Sequence, residues 1–327
     1  MHLAAIRFEI DESYIVMMLK VRELHPELAI KAKNELHEDP ERIPESIKIL
    51  RDWIKAQPHL KSRTDDQFLL AFLRASKHSI ERAKQKIDHF YTLRTAVPEL
   101  FKNRNVETSN FLEVVRLGTG LILPNPLGES GPRICLIRPG AYSPEKYNIY
   151  EILRPGSLVA DIELIEDDNL IVSGLVEIID LENLSMQHIF QSDAVFMKKL
   201  AAIGGDASPL RHMGTHFINT PGSFEAMFNV FKGFLSPTKR KRLFVHGDNL
   251  QSLYAHVPQQ YLPREYGGNN GSISEIIQYW EKKILAYKDF FMEDEQYGTI
   301  EELRVDRNHY SENLFGVDGT FRSLNVD

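Results

Sequence analysis

The chain has 327 residues, 43% of them hydrophobic and 26% charged, and a net charge of -7 at pH 7. That length exceeds one average domain and can bury a sizeable core, while the acidic balance opposes general binding to nucleic acid or to anionic membranes. A single cysteine, Cys135, excludes an internal disulfide and gives the sequons at Asn183 and Asn270 little weight, so a reducing, cytoplasmic setting is expected.

Met1 to Ile10 carry a short apolar stretch without the long hydrophobic region or small-residue cleavage site of a secretory signal. From residue 26 to about 105 the pattern predicts helices. Pro44 suits a first-turn position, with Ile47, Leu50 and Ile54 recurring beyond it at helical spacing. Thr64-Asp65-Asp66-Gln67 has the form of a capping box before the apolar run Phe68 to Leu73. After Ser79, the residues Ile80, Ala83, Ile87 and Phe90 fall on one helical face.

From about residue 112 the period shortens. Gly120 to Leu123, Arg133 to Ile137, Leu175 to Asp180, Gly214 to Asn219 and Leu243 to His246 read as short buried strands. Ile149 to Glu166, Asp193 to Ile203 and Ser223 to Leu235 supply helices between them, so an α/β unit with a mainly parallel sheet follows the helical module. The most apolar run, Leu170 to Leu181, is interrupted by Ser173, Gly174, Glu177 and Asp180, short of the roughly 18 to 20 apolar residues that cross a bilayer. A soluble chain is expected. After Gly267-Gly268, a pair that can take φ > 0 where the chain leaves the sheet, Ile273, Ile276, Ile277, Trp280, Ile284 and Tyr287 predict one more amphipathic helix; the remainder reads as a tail.

Three features carry chemistry. At 100° per residue, Phe224, Met227, Phe228, Val230, Phe231, Phe234 and Leu235 share one arc, and so large a stripe must be covered by core, lipid or bilayer, since each big side chain left in water forgoes roughly 1.5 to 3 kcal/mol. Lys232, Lys239, Arg240, Lys241 and Arg242 follow in a stretch without an acid, which is either a solvated face or a surface for an anionic leaflet, where each charge contributes about 1 kcal/mol. Glu177 shares a strand face with Leu175 and Ile179, where its carboxylate would lose hydration. It either hydrogen-bonds a ligand or pairs with a basic side chain.

Enzyme signatures are missing. No phosphate loop or nucleophile elbow occurs, and Gly118-Thr119-Gly120 lacks the third glycine of a dinucleotide loop; Asp180 with Glu182 at a strand end remains the strongest case for catalysis. His188, His216 and His246 lack metal-ligand spacing and read as structural, so neither a metal nor a cofactor is expected.

Several segments, in order, carry a resemblance. EDPERIPESIKILRDWIKAQPHL (38 to 60), RTDDQFLLAFLRASKHSIERAKQKID (63 to 88), IIDLENLSMQH (178 to 188), PLRHMGTHFINTP (209 to 221), FVHGDN (244 to 249) and LPREYGG (262 to 268) resemble the CRAL-TRIO (Sec14-like) lipid-binding family, in its tocopherol-transfer and retinal-binding branch. The ending FGVDGTFRSLNVD (315 to 327) resembles insect members. The resemblance implies an extension over 1–24, a helical domain over 25–108, a lipid-binding domain over 109–271 and a C-terminal helix and tail over 272–327.

By the same resemblance, Phe224, Met227, Phe228, Phe231, Phe234 and Leu235 belong to a mobile lid. Leu175, Glu177, Ile179, Leu184, Met186, Leu200, Ile203, Leu210, Phe224, Phe228 and Phe231 are expected to line a lipid cavity. A phosphoinositide cleft is implied at Arg211 and Arg242. There Ser76, Met213 and Thr238 replace basic residues, and Lys77 and Lys239 are placed to compensate, beside Lys232, Arg240 and Lys241. The implied function is carriage of one tocopherol-, retinoid- or carotenoid-like lipid between membranes by a monomer that docks reversibly on an anionic surface. Phospholipid exchange of the Sec14 type or lipid sensing is the alternative within the fold, and an α/β enzyme the alternative outside it.

Overall fold

The computed structural model describes residues 10–205, 207–222, 224–233 and 237–305. It begins with helices α1 (Glu12–Met18), α2 (Pro26–Leu36) and α3 (Ile43–Lys55), a short strand β1 (Leu60–Lys61), and helices α4 (Asp66–Ala75), α5 (Ile80–Ala96), α6 (Pro98–Phe101) and α7 (Ser109–Arg116). Pro44 sits in the first turn of α3, and Ile47, Leu50 and Ile54 are buried on one side of it. The capping box expected at Thr64 does not form. Asp65 is the N-cap residue and makes no side-chain cap bond, and the Gln67 amide instead reaches Asp168 at 3.3 Å, because this helix end is buried against the α/β unit.

The α/β unit follows as β2 (Gly120–Ile122), β3 (Arg133–Ile137), α8 (Ile149–Glu166), α9 (Asp168–Ser173), β4 (Leu175–Asp180), α10 (Met186–Gln191), α11 (Ala194–Ile203), β5 (His212–Ile218), α12 (Phe224–Gly233), α13 (Pro237–Arg240), β6 (Leu243–Gly247) and α14 (Leu250–Tyr254). The sheet order is β2-β3-β4-β5-β6, parallel except for β2, as expected when helices return the chain to the same sheet edge. Register puts Ile122, Cys135, Leu175, Glu177, Thr215 and Phe217 on one face; Ile134, Leu136, Val176, Ile178 and Ile218 fill the other and join the core of the helical module.

The C-terminal stretch departs from the tail reading. After α15 (Ile273–Ala286), opened by a Ser272–Glu275 capping box, the chain continues into α16 (Lys288–Asp294) and β7 (Gly298–Thr299), which pairs antiparallel with β1. Phe290 and Phe291 are buried, and Asp294 joins Asp161 of α8 in a buried network with Arg94 and Arg104, with Arg63 also on Asp294 at 3.1 Å. The apolar period is too short to be read here, and the charge partners lie far away in sequence. Gly267 has φ +76 as anticipated, whereas Gly268 is needed for space: a Cβ there would lie 2.0 Å from the Leu262 carbonyl.

Candidate functional site

Helix α8 and the sheet do not close on each other. Ile149, Ile152, Leu153, Gly156, Val159, Ala160 and Glu163 recur at helical spacing along α8 and face a cavity of about 270 Å³. Cys135, Ile137 and Leu175 form its floor, Val114 and Val115 of α7 and Trp280 and Ile284 of α15 its sides. The space exists because the roof stripe carries small residues at its centre: a Cβ built on Gly156 meets nothing within 4 Å.

Strand direction gives the cavity two ends. Leu175, Leu210, Ile122, Leu170 and Glu163 lie where the parallel strands begin; Ile137, Pro139, Tyr142, Leu184 and His188 lie where they finish. At the second end, Leu184 also packs on a cluster of Leu181, Phe217 and Phe224, joined by Ile179, Phe228 and Leu243. The rings of Phe217, Phe224 and Phe228 stand 4.9 to 5.3 Å apart, and the Lys232 ammonium sits 4.7 Å above the Phe228 ring. Helix α12 is thereby seated on the sheet face beside the cavity mouth. The side chains of Met227, Phe231 and Lys239, and the whole of Phe234 and Leu235, lie outside the described residues.

Of the expected lining, Leu175, Leu184 and Leu210 face the cavity, and Ile179, Phe224 and Phe228 form the neighbouring aromatic cluster. Four residues do not belong to the lining. Met186 is 52% exposed, because α10 turns His188 inward and presents Met186 and Phe190, four residues apart, to the outside. Leu200 is exposed on α11, and Ile203 packs on Leu93 and Val97 of the helical module. Glu177 is outside the lining too: its carboxylate accepts a 2.8 Å hydrogen bond from Thr215 Oγ1 and lies 3.2 Å from His212 Nε2. The roof was missed in the sequence, although the α8 stripe with Gly156 and Ala160 at its centre was the available signal.

Arg211 and Arg242 lie at the strand-start end, whereas Lys232 lies with the aromatic cluster at the other. Arg242 donates to the His212 carbonyl and Arg211 to that of Val172, while Arg211 also pairs with Glu35 at 2.8 Å. The Arg211 hydrogen bond, with smaller contributions from Lys31 and Lys77, holds the Glu35 carboxyl below its usual range, which places Lys31 in one patch with Arg211. Lys77, Arg240, Lys241 and Arg242 are exposed.

The remaining polar candidates are engaged structurally. Asp180 accepts from Tyr266 Oη at 2.5 Å and Asn219 Nδ2 at 2.7 Å. His188 contacts Ser185 through Nδ1 and the Tyr142 carbonyl through Nε2, and His216 Nδ1 lies 2.9 Å from His246 Nε2.

The domain model for the CRAL/TRIO domain matches residues 119–268, and one described as Pinta-like, UBA domain matches 39–111. Alpha-tocopherol transfer protein-like of Homo sapiens is 32% identical over 272 residues, 83% of this chain and 78% of that protein. The chain belongs to the CRAL/TRIO family. Clavesin-1 of Xenopus laevis is 32% identical over 248 residues, 75% of this chain and 74% of its own. The crystal structure of Sfh5 aligns with 82% of this chain and 99% of that one at 15% identity and a TM-score of 0.44. CRAL/TRIO proteins bind and transfer lipids, and in this member the matched segment includes the cavity floor, the α8 roof and α12. No helix among the described residues is long and apolar enough to cross a membrane.

Proposed function

We propose that this CRAL/TRIO protein holds one tocopherol-, retinoid- or carotenoid-like lipid between α8 and the sheet and carries it between membranes as a cytoplasmic monomer, without catalysis and without a cofactor. One observation carries the reading: an apolar cavity whose mouth residue, Leu184, is shared with the aromatic cluster that seats α12. Burying hydrocarbon there is favourable at roughly 25 cal/mol per Å² and needs few polar contacts. Met186, Phe190 and Val195 are 52%, 73% and 57% exposed on α10 and α11 beside that mouth, and such an apolar surface suits a bilayer interface. The patch of Lys31, Lys77, Arg211 and Arg242 at the other end of the sheet suits an anionic or phosphoinositide-bearing headgroup. Asp180, the strongest catalytic candidate, is already pinned by Tyr266 and Asn219, which supports a non-enzymatic role.

The test is extraction of the protein purified from native cells, with mass spectrometry of the bound lipid, followed by transfer of that lipid between donor and acceptor vesicles. A stoichiometric isoprenoid-like lipid that moves between vesicles is the expected result. A protein that retains no lipid, or one whose lipid never leaves, overturns the carrier reading.

A further inference from the structure

The strand-start end of the cavity is polar at one point. Glu163 lies on the same α8 stripe as Ile149, Ile152, Gly156, Val159 and Ala160, so its side chain is directed to the cavity side of the helix, and the residue is 4% exposed. A second cavity of about 180 Å³, lined by Arg133, Glu166, Asp167, Tyr279 and Lys283, adjoins the first and shares Ile122, Glu163 and Trp280 with it. Glu163 thus stands at the partition between an apolar chamber and a polar one.

The local charges are unevenly matched. Lys283 Nζ lies 2.6 Å from Glu166 and only 3.5 Å from Glu163, and Arg133 pairs with Asp167. Each cation therefore has a closer acid than Glu163. Burial, then the charge of Asp167, pushes the Glu163 carboxyl well above its ordinary range and favours its protonated form, with Asp167 as its hydrogen-bond partner. A protonated carboxyl donates one proton and keeps its carbonyl oxygen as an acceptor; with the proton directed to Asp167 and one long contact to Lys283, acceptor capacity remains for a group entering from the cavity. At the opposite end Tyr142 Oη donates to Gln191, Ser192 Oγ to the His188 carbonyl, and both His188 nitrogens have partners, so the polar lining left there is the Thr119 hydroxyl, a single neutral group against the acid cluster around Glu163.

We propose that Glu163 seats the polar end of the bound lipid, which lies head-inward with its hydrocarbon towards α12, and that this seat selects a neutral lipid bearing a hydroxyl over a fatty acid or a plain hydrocarbon. The inference rests on the carrier reading. A hydroxyl donates to the open acceptor of Glu163 and completes it. A hydrocarbon leaves that acceptor desolvated, and a fatty-acid carboxylate adds a third negative charge to those of Glu166 and Asp167, which Arg133 and Lys283 already balance.

The experiment offers the delipidated full chain an equimolar mixture of dodecanol, dodecanoic acid and dodecane, then quantifies the retained lipid by gas chromatography with mass spectrometry. The alcohol is expected to exceed each competitor by about three- to tenfold, the ratio one hydrogen bond supports. Glu163→Leu removes the advantage over dodecane, whereas Glu163→Gln, whose amide carbonyl still accepts, keeps it. Both variants leave Lys283 its Glu166 partner, and their folding is checked by circular dichroism. Equal retention by the parent, a preference for the acid, or an unaltered alcohol preference in folded Glu163→Leu overturns the proposal. Retention of none of the three overturns the carrier reading beneath it.

Discussion

Gly156 offers the sharpest separation of cavity from fold. It lies at the centre of the α8 stripe, and a Cβ there points into open space. In Gly156→Leu the four added carbons, at roughly the 30 Å³ that a water occupies in the liquid, take up roughly 120 Å³. That is close to half of the 270 Å³ cavity. A ligand deprived of contacts for about four methylenes, each worth about 0.8 kcal/mol, loses about 3 kcal/mol, or more than 100-fold in affinity. Stability moves the other way, because leucine is favoured over glycine in a helix by about 0.5 to 1 kcal/mol. Trp280 lines the same cavity, so binding of all-trans-retinol can be followed as quenching of its fluorescence in a Trp53→Phe background, with thermal unfolding in parallel. The expected outcome is a variant at least as stable as the parent that no longer binds. A stable Gly156→Leu protein binding within threefold of the parent would refute the placement of the ligand beneath α8.

Asp294→Asn leaves Arg94 and Arg104 with Asp161 as their one buried acid and Arg63 with only the outer acids Asp65 and Glu293; a loss of about 3 to 5 kcal/mol is expected, read as a lowered urea midpoint, and an unchanged midpoint would remove the network from the account of stability. Glu35→Gln releases Arg211, so partition onto anionic vesicles should rise about fivefold at low salt with no change on neutral vesicles; equal partition by parent and variant would show that Glu35 does not compete for the patch. Burial, with His246, His256 and His212 nearby, lowers His216 to about 4, so the fold favours its neutral form. The associated stability is complete above the unfolded value near 6.5 and is lost as pH falls from there towards 4, by up to about 3 kcal/mol. Unfolding midpoints at pH 7 and pH 4.5 should differ more in the parent than in His216→Gln, and identical acid sensitivity would exclude this residue.

The helical module, the parallel sheet and α12 are legible in the sequence because each rests on local periodicity: Ile47, Leu50 and Ile54 for α3, the strands by their short apolar runs, and the Phe224 arc for α12. The cavity is less so. Leu175, Leu184 and Leu210 are reached through the family resemblance alone, and the roof depends on which side of α8 meets the sheet, while α8 is apolar on both. Leu158 and Ile162 bury against the helical module while Ile152 and Val159 face the cavity. Met186 and Leu200 were misplaced for a related reason, since an apolar side chain carries no mark of the surface it faces. Charge pairs across long separations, such as Arg104 with Asp294, leave no local pattern at all.

The roof of the cavity and the helix beside its mouth differ in what it costs to move them. The roof is bolted by buried charges, with Asp161 held by Arg94 and Arg104 and Glu166 by Lys283 and Tyr287, and parting any one of these pairs in the interior costs several kcal/mol. The contacts described for α12 are of another kind: rings of Phe224 and Phe228 on Phe217, and one ammonium over a ring. Lifting two phenyl rings into water costs roughly 3 to 6 kcal/mol, but lifting them into hydrocarbon exchanges one apolar contact for another at little cost. On the proposed cycle, therefore, α12 stays shut in solution and yields at a bilayer while α8 stays fixed. A lipid seated with its polar end at Glu163 is then released tail-first, through the mouth beside α12, whose described contacts include no buried ion pair.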